Sequence, residues 1–155
     1  MAIRNIVKIE DPILRKVCRS VINFDDNLSV LLDDMAETMH NADGCGLAAP
    51  QVGLLKRVCI VDIGSEDGLV EMINPIIIEK NGHQEEGEGC LSIPNKYGTT
   101  SRPMFVTVRA NNRKGETFTI SGSGLKARAF CHETDHLDGI LFIDRLVKKD
   151  KIGLR

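Results

Sequence analysis

The chain has 155 residues, an apolar content of 42% and a formal net charge of −2 at pH 7. This length suits one domain with a sizeable core, and we expect residues 1–155 to form a single domain. The slight negative charge gives no attraction for nucleic acid or an anionic membrane, and no apolar run approaches the length of a membrane span. The five cysteines are odd in number and lack CxxC spacing, which favours reduced thiols or a metal ligand over disulfides.

Two helices and a loop are predicted for the N-terminal part of the chain. An Asp-Pro pair at the start of residues 11–17 predicts a short helix. Apolar residues at i, i+3 and i+4 spacing predict an amphipathic helix over residues 26–40. His40, near the end of that helix, is interpreted as a favourable end charge and not as a ligand. Residues 44–53, with three glycines and a proline, are expected to form a loop.

Strands are predicted for the middle of the chain. Residues 57–63 are rich in β-branched side chains and predict a strand. Residues 69–74 and 76–79 predict two further strands, or one strand broken by Pro75. Residues 83–89 are acidic and contain glycine, which predicts a turn.

A hairpin and a helix are predicted for the C-terminal part. Residues 105–110 and 117–120 alternate in polarity, and residues 111–115 can close them into a hairpin. Residues 124–138 are predicted as a helix that Gly139 ends, and an apolar segment follows it. Helices, then strands, then one helix indicate an α+β fold, with the last helix packed on mostly antiparallel sheet.

The H-E-x-x-H pattern of residues 132–136 (HETDH) is the most informative stretch of the chain. Two histidines four positions apart lie about 40° apart around a helix, so His132 and His136 can bind one divalent metal. Glu133 lies about 100° from His132 around the axis. That places it beside a metal, as a general base for an activated water requires. An amphipathic helix with two unrelated histidines is the alternative.

A catalytic metal site usually has a third protein ligand. No histidine follows His136, and only Asp138 and Asp144 are acidic nearby, so a thiolate is the remaining candidate. Cys90 lies in residues 86–92 (EGEGCLS), where glycine allows a close backbone approach to a metal. Spacing alone does not separate this role from that of a buried free cysteine.

A second loop carries a candidate oxyanion donor. Residues 44–51 (GCGLAAPQ) combine glycines and small residues with the primary amide of Gln51. An amide can donate a hydrogen bond to a developing oxyanion without adding charge. The alternative is a helix C-cap followed by a loop in which Gln51 is solvated.

Together these segments resemble the sequence motifs of peptide deformylases. Residues 44–51, 88–92 (EGCLS) and 132–136 match GxGLAAxQ, EGCxS and HExDH in order and separation. The resemblance extends from about residue 11 to residue 146. It implies hydrolysis of the formyl group from N-formylmethionine at the start of nascent bacterial or organellar proteins. It also implies an α+β fold with mixed or antiparallel sheets around a central metal-bearing helix.

The resemblance further implies a role for each motif residue. The implied metal ligands are Cys90, His132 and His136. The implied catalytic groups are Glu133, the Gln51 side chain and the backbone N–H of Leu91. The expected substrate-binding residues are Gly44, Cys45, Gly46 and Leu125. Of these, Cys45 and Leu125, together with Phe130, are expected to form the pocket for the methionine side chain. Gly46 is also expected to form a wall that excludes the methyl of an acetyl group.

Several residues around these motifs are expected to support them. Glu88 and Asp135 are expected to orient the loop and a ligand histidine, with Arg102 as a partner of either. Tyr97 stands where some relatives carry arginine, which affects contacts to the peptide backbone.

One divalent metal is implied. A Cys/His/His set suits both Zn²⁺ and Fe²⁺, and the resemblance favours Fe²⁺, with Zn²⁺, Ni²⁺ and Co²⁺ as alternatives. The expected partners are N-formylmethionyl nascent peptides near the ribosome. Because the N-terminal sequence has no signal-peptide apolar region, we expect a location in the bacterial cytoplasm. We also expect a monomer without direct nucleic acid or membrane contact.

Two rival functions remain open. A zincin-type endopeptidase also uses H-E-x-x-H, but the usual His or Glu ligand downstream of the motif is missing. The non-enzyme alternative is a structural zinc module or an inactive binding homologue. A structural site would need a fourth protein ligand and would have no use for Glu133.

Overall fold

Two α-helices and seven β-strands make up the computed structural model, which describes residues 2–148. Helix α1 spans Asp26–Asn41 and helix α2 spans Leu125–His136. The strands are β1 (Gly46–Ala48), β2 (Val58–Val61), β3 (Val70–Asn81), β4 (Gln84–Cys90), β5 (Ile93–Arg102), β6 (Phe105–Asn111) and β7 (Thr117–Ser123). Short 3₁₀ helices cover Pro12–Arg15, Ala49–Val52 and Phe142–Asp144. Met1 and residues 149–155, which the single-domain prediction includes, lie outside the described range.

The strands form two separate antiparallel sheets. Five strands pair in the order β1-β2-β3-β6-β7, while β4 and β5 form a separate two-stranded sheet. The predicted hairpin is present as β6 and β7, with Val108 opposite Ile120. This arrangement confirms the predicted α+β class with mostly antiparallel sheets.

The two helices cover opposite faces of the five-stranded sheet. Alternate residues of a strand point to opposite faces, and Cys59 and Ile60 of β2 accordingly belong to different core clusters. The Cys59 cluster includes Phe130 and Leu137 from α2 and its C-terminal end, and the Ile60 cluster contains the apolar stripe of α1. Helix α2 is therefore central, and its polar side chains lie in the interior of the protein.

The strand pair β4 and β5 was not predicted, and the predicted turn over residues 83–89 is wrong. Residues 84–90 form β4 instead. Only Gln84 and Glu88 of this strand are buried, while Glu85 and Glu86 face solvent. The buried positions of this strand are therefore polar. The strand lacks the alternation of apolar and polar residues from which a strand is recognised in a sequence.

Other bounds also differ from the predictions. The first helix is a single 3₁₀ turn that ends at Arg15, and the loop over residues 44–53 contains β1 and a second 3₁₀ turn. Pro75 does not break β3, because Asn74 adopts a φ of 52° and the pairing with β6 shifts register there. That irregularity accommodates a residue with no backbone N–H.

His40 lies on the surface at the end of α1. Its Nε2 lies 3.0 Å from Oδ2 of Asp62, and it does not belong to the metal-ligating group described below. Within residues 2–148, neither helix has the length and apolar character needed to cross a membrane.

Candidate active site

Cys90, His132 and His136 converge between the two sheets. The Cys90 Sγ atom and one ring nitrogen of each histidine all lie within 4.8 Å of one another. Cys90 Sγ is 3.4 Å from His136 Nε2, and the two imidazole centroids are 5.0 Å apart. Strand β4 ends at the cysteine, and α2 presents both histidines on one face. One thiol and two imidazoles in this arrangement fit a divalent metal such as Zn²⁺ or Fe²⁺.

His136 is suited to ligate because it is neutral. Burial, together with the neighbouring His132, lowers the pKa of His136 well below its ordinary value. The imidazole therefore keeps a lone pair for a metal at neutral pH. Its Nε2 faces Cys90, whereas its buried Nδ1 has no hydrogen-bond partner among the described residues.

The orientation of His132 is fixed by Glu88. His132 Nδ1 lies 2.6 Å from Glu88 Oε2. Burial on its own raises the pKa of Glu88, but hydrogen bonds from His132 and Arg102 outweigh it and lower this pKa to about 2. Glu88 is thus a carboxylate, and the Nδ1–H of His132 donates to it. Nε2 of His132 is thereby the nitrogen that faces the other two residues of the metal-ligating group. Burial on its own lowers the pKa of His132, but Glu133, Cys90 and Glu88 raise it well above its ordinary value. A metal bound there would therefore take the place of the Nε2 proton.

Arg102 of β5 joins the second sheet to the metal helix. Its Nη2 lies 2.6 Å from Glu88 Oε2, and its Nη1 lies 2.6 Å from Asp135 Oδ2. The side chain of Arg102 is only 3% exposed. Sequence reasoning paired Arg102 with one acid or the other, and the structure places it between both.

Arg128 makes a second connection between α2 and β4 that sequence reasoning missed. It lies one helical turn before His132, and its Nη1 donates to the backbone oxygen of Glu86 over 3.0 Å. Its Nη2 donates to Oε1 of Gln84. The available signal was a charged residue within a helix segment whose neighbours, such as Ala127 and Ala129, are apolar.

Glu133 is enclosed beside the metal-ligating group. The residue is 4% exposed, and its Oε2 lies 3.9 Å from His132 Nε2. Its Oε1 has no hydrogen-bond partner among the described residues. Burial raises the pKa of Glu133 to about 7. A carboxyl group with a pKa near neutrality can both accept and return a proton at cellular pH.

Gln51 is held in the floor of the site by its neighbours. It is 1% exposed, so the alternative in which Gln51 is solvated is wrong. Its Oε1 accepts a hydrogen bond from the Ala48 N–H over 2.9 Å. Its Nε2 donates to Ser92 Oγ over 3.1 Å and lies 3.5 Å from Cys90 Sγ. Ser92 was not singled out from the sequence, although it belongs to the EGCLS segment.

A cavity of about 450 Å³ opens over these groups. Its lining includes every residue predicted for catalysis or substrate binding, apart from Phe130, namely Gly44, Cys45, Gly46, Gln51, Leu91, Leu125 and Glu133. Of the three residues in the candidate metal-ligating group, Cys90 and His132 also line it. Leu125 is 56% exposed and lies at the rim.

Phe130 does not line this cavity, and its predicted place in the methionine pocket is wrong. It is fully buried in the core between α2 and the five-stranded sheet. Two positions along a helix turn a side chain by about 200°, so Phe130 faces away from His132. Arg128 and Ala129 occupy the corresponding part of the cavity wall.

Comparisons with known proteins agree with these motifs. The chain matches the family model described as polypeptide deformylase over residues 3–152. It is 55% identical over 148 residues to a peptide deformylase of Acetivibrio thermocellus, covering 96% of this chain and 86% of the relative. It is 53% identical over 150 residues to peptide deformylase 1 of Clostridium acetobutylicum, covering 97% of this chain and 99% of the relative.

Solved structures agree in the same way. A crystal structure of a peptide deformylase from Legionella pneumophila matches with a TM-score of 0.92 and 42% identity, covering 98% of this chain and 90% of that one. The peptide deformylase from Thermotoga maritima matches with a TM-score of 0.91 and 40% identity, covering 95% and 99%. The resemblance inferred from three short motifs thus extends over nearly the whole chain.

Proposed function

The chain belongs to the polypeptide deformylase family, and we propose that it hydrolyses the formyl amide of N-formylmethionyl peptides at the cavity described above. In this proposal Cys90, His132 and His136 hold one divalent metal. The observation that supports it most is the convergence of a thiol and two imidazoles beside the buried carboxyl of Glu133.

The metal would be Fe²⁺, with Zn²⁺, Ni²⁺ and Co²⁺ as alternatives that the same ligand set accepts. When bound, it supplies Lewis-acid activation of water and of the formyl carbonyl. The protein's own contribution is to fix the geometry. Glu88 holds His132 in one tautomer, and Arg102 ties Glu88 to the helix that carries both histidines.

Glu133 moves the proton. Its carboxylate takes a proton from the attacking water as the new bond from oxygen to the formyl carbon forms. The same carboxyl then gives that proton to the amide nitrogen as the bond from carbon to nitrogen breaks. The products are formate and a free α-amino group. Enclosure of Glu133 favours this role, because it brings the pKa of the carboxyl to about 7.

Gln51 and the backbone N–H of Leu91 stabilise the negative charge that develops on the formyl oxygen. Gln51 is suited to this because Ala48 and Ser92 fix its amide before substrate arrives. A donor that is already oriented has no reorganisation to undergo at the moment of reaction.

The substrate side of the proposal rests on the cavity lining. Gly44, Cys45, Gly46 and Leu125 would contact the methionine side chain and the adjoining backbone. We further propose that the enzyme acts as a monomer on nascent peptides near the ribosome, in the cytoplasm of a bacterium. The bacterial origin of the relatives named above supports this last point. The zincin and inactive-homologue alternatives are not favoured.

The residue roles are tested by Glu133→Gln. The amide keeps the shape of the side chain and removes the base, so turnover should fall by roughly 10²-fold or more while metal content is unchanged. Formate release from formyl-Met-Ala-Ser, measured alongside elemental metal analysis, gives both quantities. Turnover near that of the wild type would contradict the proposed role of Glu133.

A further inference from the structure

The backbone of Gly46 lies directly against the side chain of Glu133. A Cβ atom built on Gly46 would stand 2.8 Å from Cδ and 3.0 Å from Cγ of Glu133, with Oε2 nearer still. Favourable contacts between carbon atoms lie at about 3.5–4.0 Å. The bare Cα of Gly46 therefore forms one wall of the space that the carboxyl occupies.

Backbone conformation is not the reason for glycine at this position. Gly46 is not among the residues with positive φ, so alanine can adopt its conformation. What alanine lacks is room beside the carboxyl group. This distinguishes Gly46 from Gly139, whose φ of 74° favours glycine directly.

Pairing and packing hold both elements in place. Strand β1 is paired with β2, with Gly46 opposite Val61, and the next residue, Leu47, is fully buried in the core. Helix α2 is anchored on its other side by Phe130, which is also fully buried. A methyl group on residue 46 would thus displace the flexible part of the contact, which is the Glu133 carboxyl.

We propose that Gly46 is a positioning residue for Glu133, and that the absence of a side chain at residue 46 sets the place from which the carboxyl moves the proton. This inference rests on the proposed role of Glu133 as the base. The sequence suggested that Gly46 forms a wall against the methyl of an acetyl group. The structure points to a different role, because the position that a Cβ of residue 46 would occupy is next to the Glu133 carboxyl.

The first test is Gly46→Ala. A displacement of about 1 Å in a catalytic group can cost 10²-fold in rate, so kcat for formyl-Met-Ala-Ser should fall by roughly that factor. The loss should fall mainly on kcat and less on KM, because the methyl added at residue 46 meets the Glu133 side chain first. A kcat close to the wild-type value would overturn the proposal.

The second test is a double-mutant cycle with Glu133→Asp. Aspartate is one methylene shorter, so its carboxyl is withdrawn from the methyl group that Gly46→Ala adds and is also too far from the substrate. If Gly46 acts through Glu133, the double variant should be about as active as Glu133→Asp alone. Fully additive losses would show that Gly46 acts on the substrate, and would overturn the proposal.

Gly44→Ala is the matched control for this cycle. A Cβ on Gly44 would meet Cδ1 of Leu91 at 2.7 Å and has no close contact with Glu133. Its cost should therefore add to that of Glu133→Asp. The same non-additivity at both glycines would overturn the specific pairing of Gly46 with Glu133.

If Gly46→Ala folds poorly, the melting temperatures of the variants still test the proposal. The added methyl conflicts with the longer glutamate, so the double variant should have a higher Tm than Gly46→Ala alone. A Tm that is no higher would overturn the proposal. Wild-type turnover in Glu133→Asp alone would instead contradict the proposed function of Glu133, so the two failures are distinguishable.

Discussion

The carboxylate of Glu88 accepts a hydrogen bond from Nδ1 of His132 over 2.6 Å, and this contact joins the small sheet to the metal helix. The same carboxylate is paired with Arg102, which in turn reaches Asp135 on the helix. Since β4 and β5 form a sheet separate from the five-stranded one, these buried polar contacts help to hold Cys90 in reach of the two histidines. The geometry of the candidate metal site therefore depends on electrostatic contacts as well as on the apolar core.

Glu88→Gln should weaken metal binding by roughly 10- to 100-fold, the size seen when a partner of a ligand histidine is removed. The amide has no charge to hold the Nδ1–H of His132 and can present its own N–H there instead. Competition with a chelator measures the affinity. Glu86→Gln is the matched control, because Glu86 is on the same strand and its side chain is exposed. Equal affinities in the two variants would contradict the role given to Glu88.

Cys90→Ala should leave a weak site of two imidazoles, and the purified protein should lose most of its metal. Elemental analysis after anaerobic purification gives the occupancy. Cys18→Ala removes a buried thiol that lies in the core cluster and outside the metal-ligating group, and it should retain full occupancy. Full occupancy in Cys90→Ala would rule out the thiolate as a ligand.

Gln51→Ala should lower kcat by roughly 10²-fold, as expected for the loss of one oxyanion donor. Metal content should stay normal, because Gln51 is not in the ligating group. Ser92→Ala should have a smaller effect in the same direction, since it removes only one of the contacts that orient the amide. If Gln51→Ala changed KM alone, the residue would be a ground-state contact.

Arg102→Met should destabilise the metal-free protein by about 3–5 kcal/mol, because Glu88 would keep a buried charge without its nearer guanidinium partner. Urea unfolding measures the free-energy difference. Arg113→Met breaks ion pairs of similar length at a side chain that is 33% exposed, and such pairs contribute about 1 kcal/mol or less. Equal losses in the two variants would show that the Arg102 pairs add nothing beyond ordinary surface pairs.

The chemistry of this site was more predictable from the sequence than its framework. Helical geometry alone placed His132 and His136 on one face with Glu133 beside them, and the structure has this arrangement. Cys90 required the family resemblance, because no periodic pattern relates a strand residue to a helix so much later in the chain. Its convergence with the histidines depends on how two separate sheets pack.

The failures have a common physical origin in tertiary contacts that local patterns do not encode. Strand β4 was missed because its inward positions are Gln84 and Glu88, which are buried against arginines and not in an apolar core. Ser92 is fully buried and accepts a hydrogen bond from Gln51. The sequence gives no sign of this contact, because the two residues are far apart in the chain. Phe130 was placed in the pocket because apolar character alone does not say which face of a helix it serves.

The comparison of a formylated, an acetylated and an unblocked peptide tests the central claim most directly. The values of kcat/KM should be measured for formyl-Met-Ala-Ser, acetyl-Met-Ala-Ser and a longer peptide with a cleavable internal bond. The account predicts turnover of the formyl peptide with formate release, very little turnover of the acetyl peptide, and no internal cleavage. Part of that preference reflects the greater electrophilicity of the formyl carbonyl, and part reflects a site that resists one extra methyl, at a cost of about 1–3 kcal/mol. Equal rates on the first two peptides, or preferential cleavage of the internal bond, would contradict the assignment of this site as a deformylase centre.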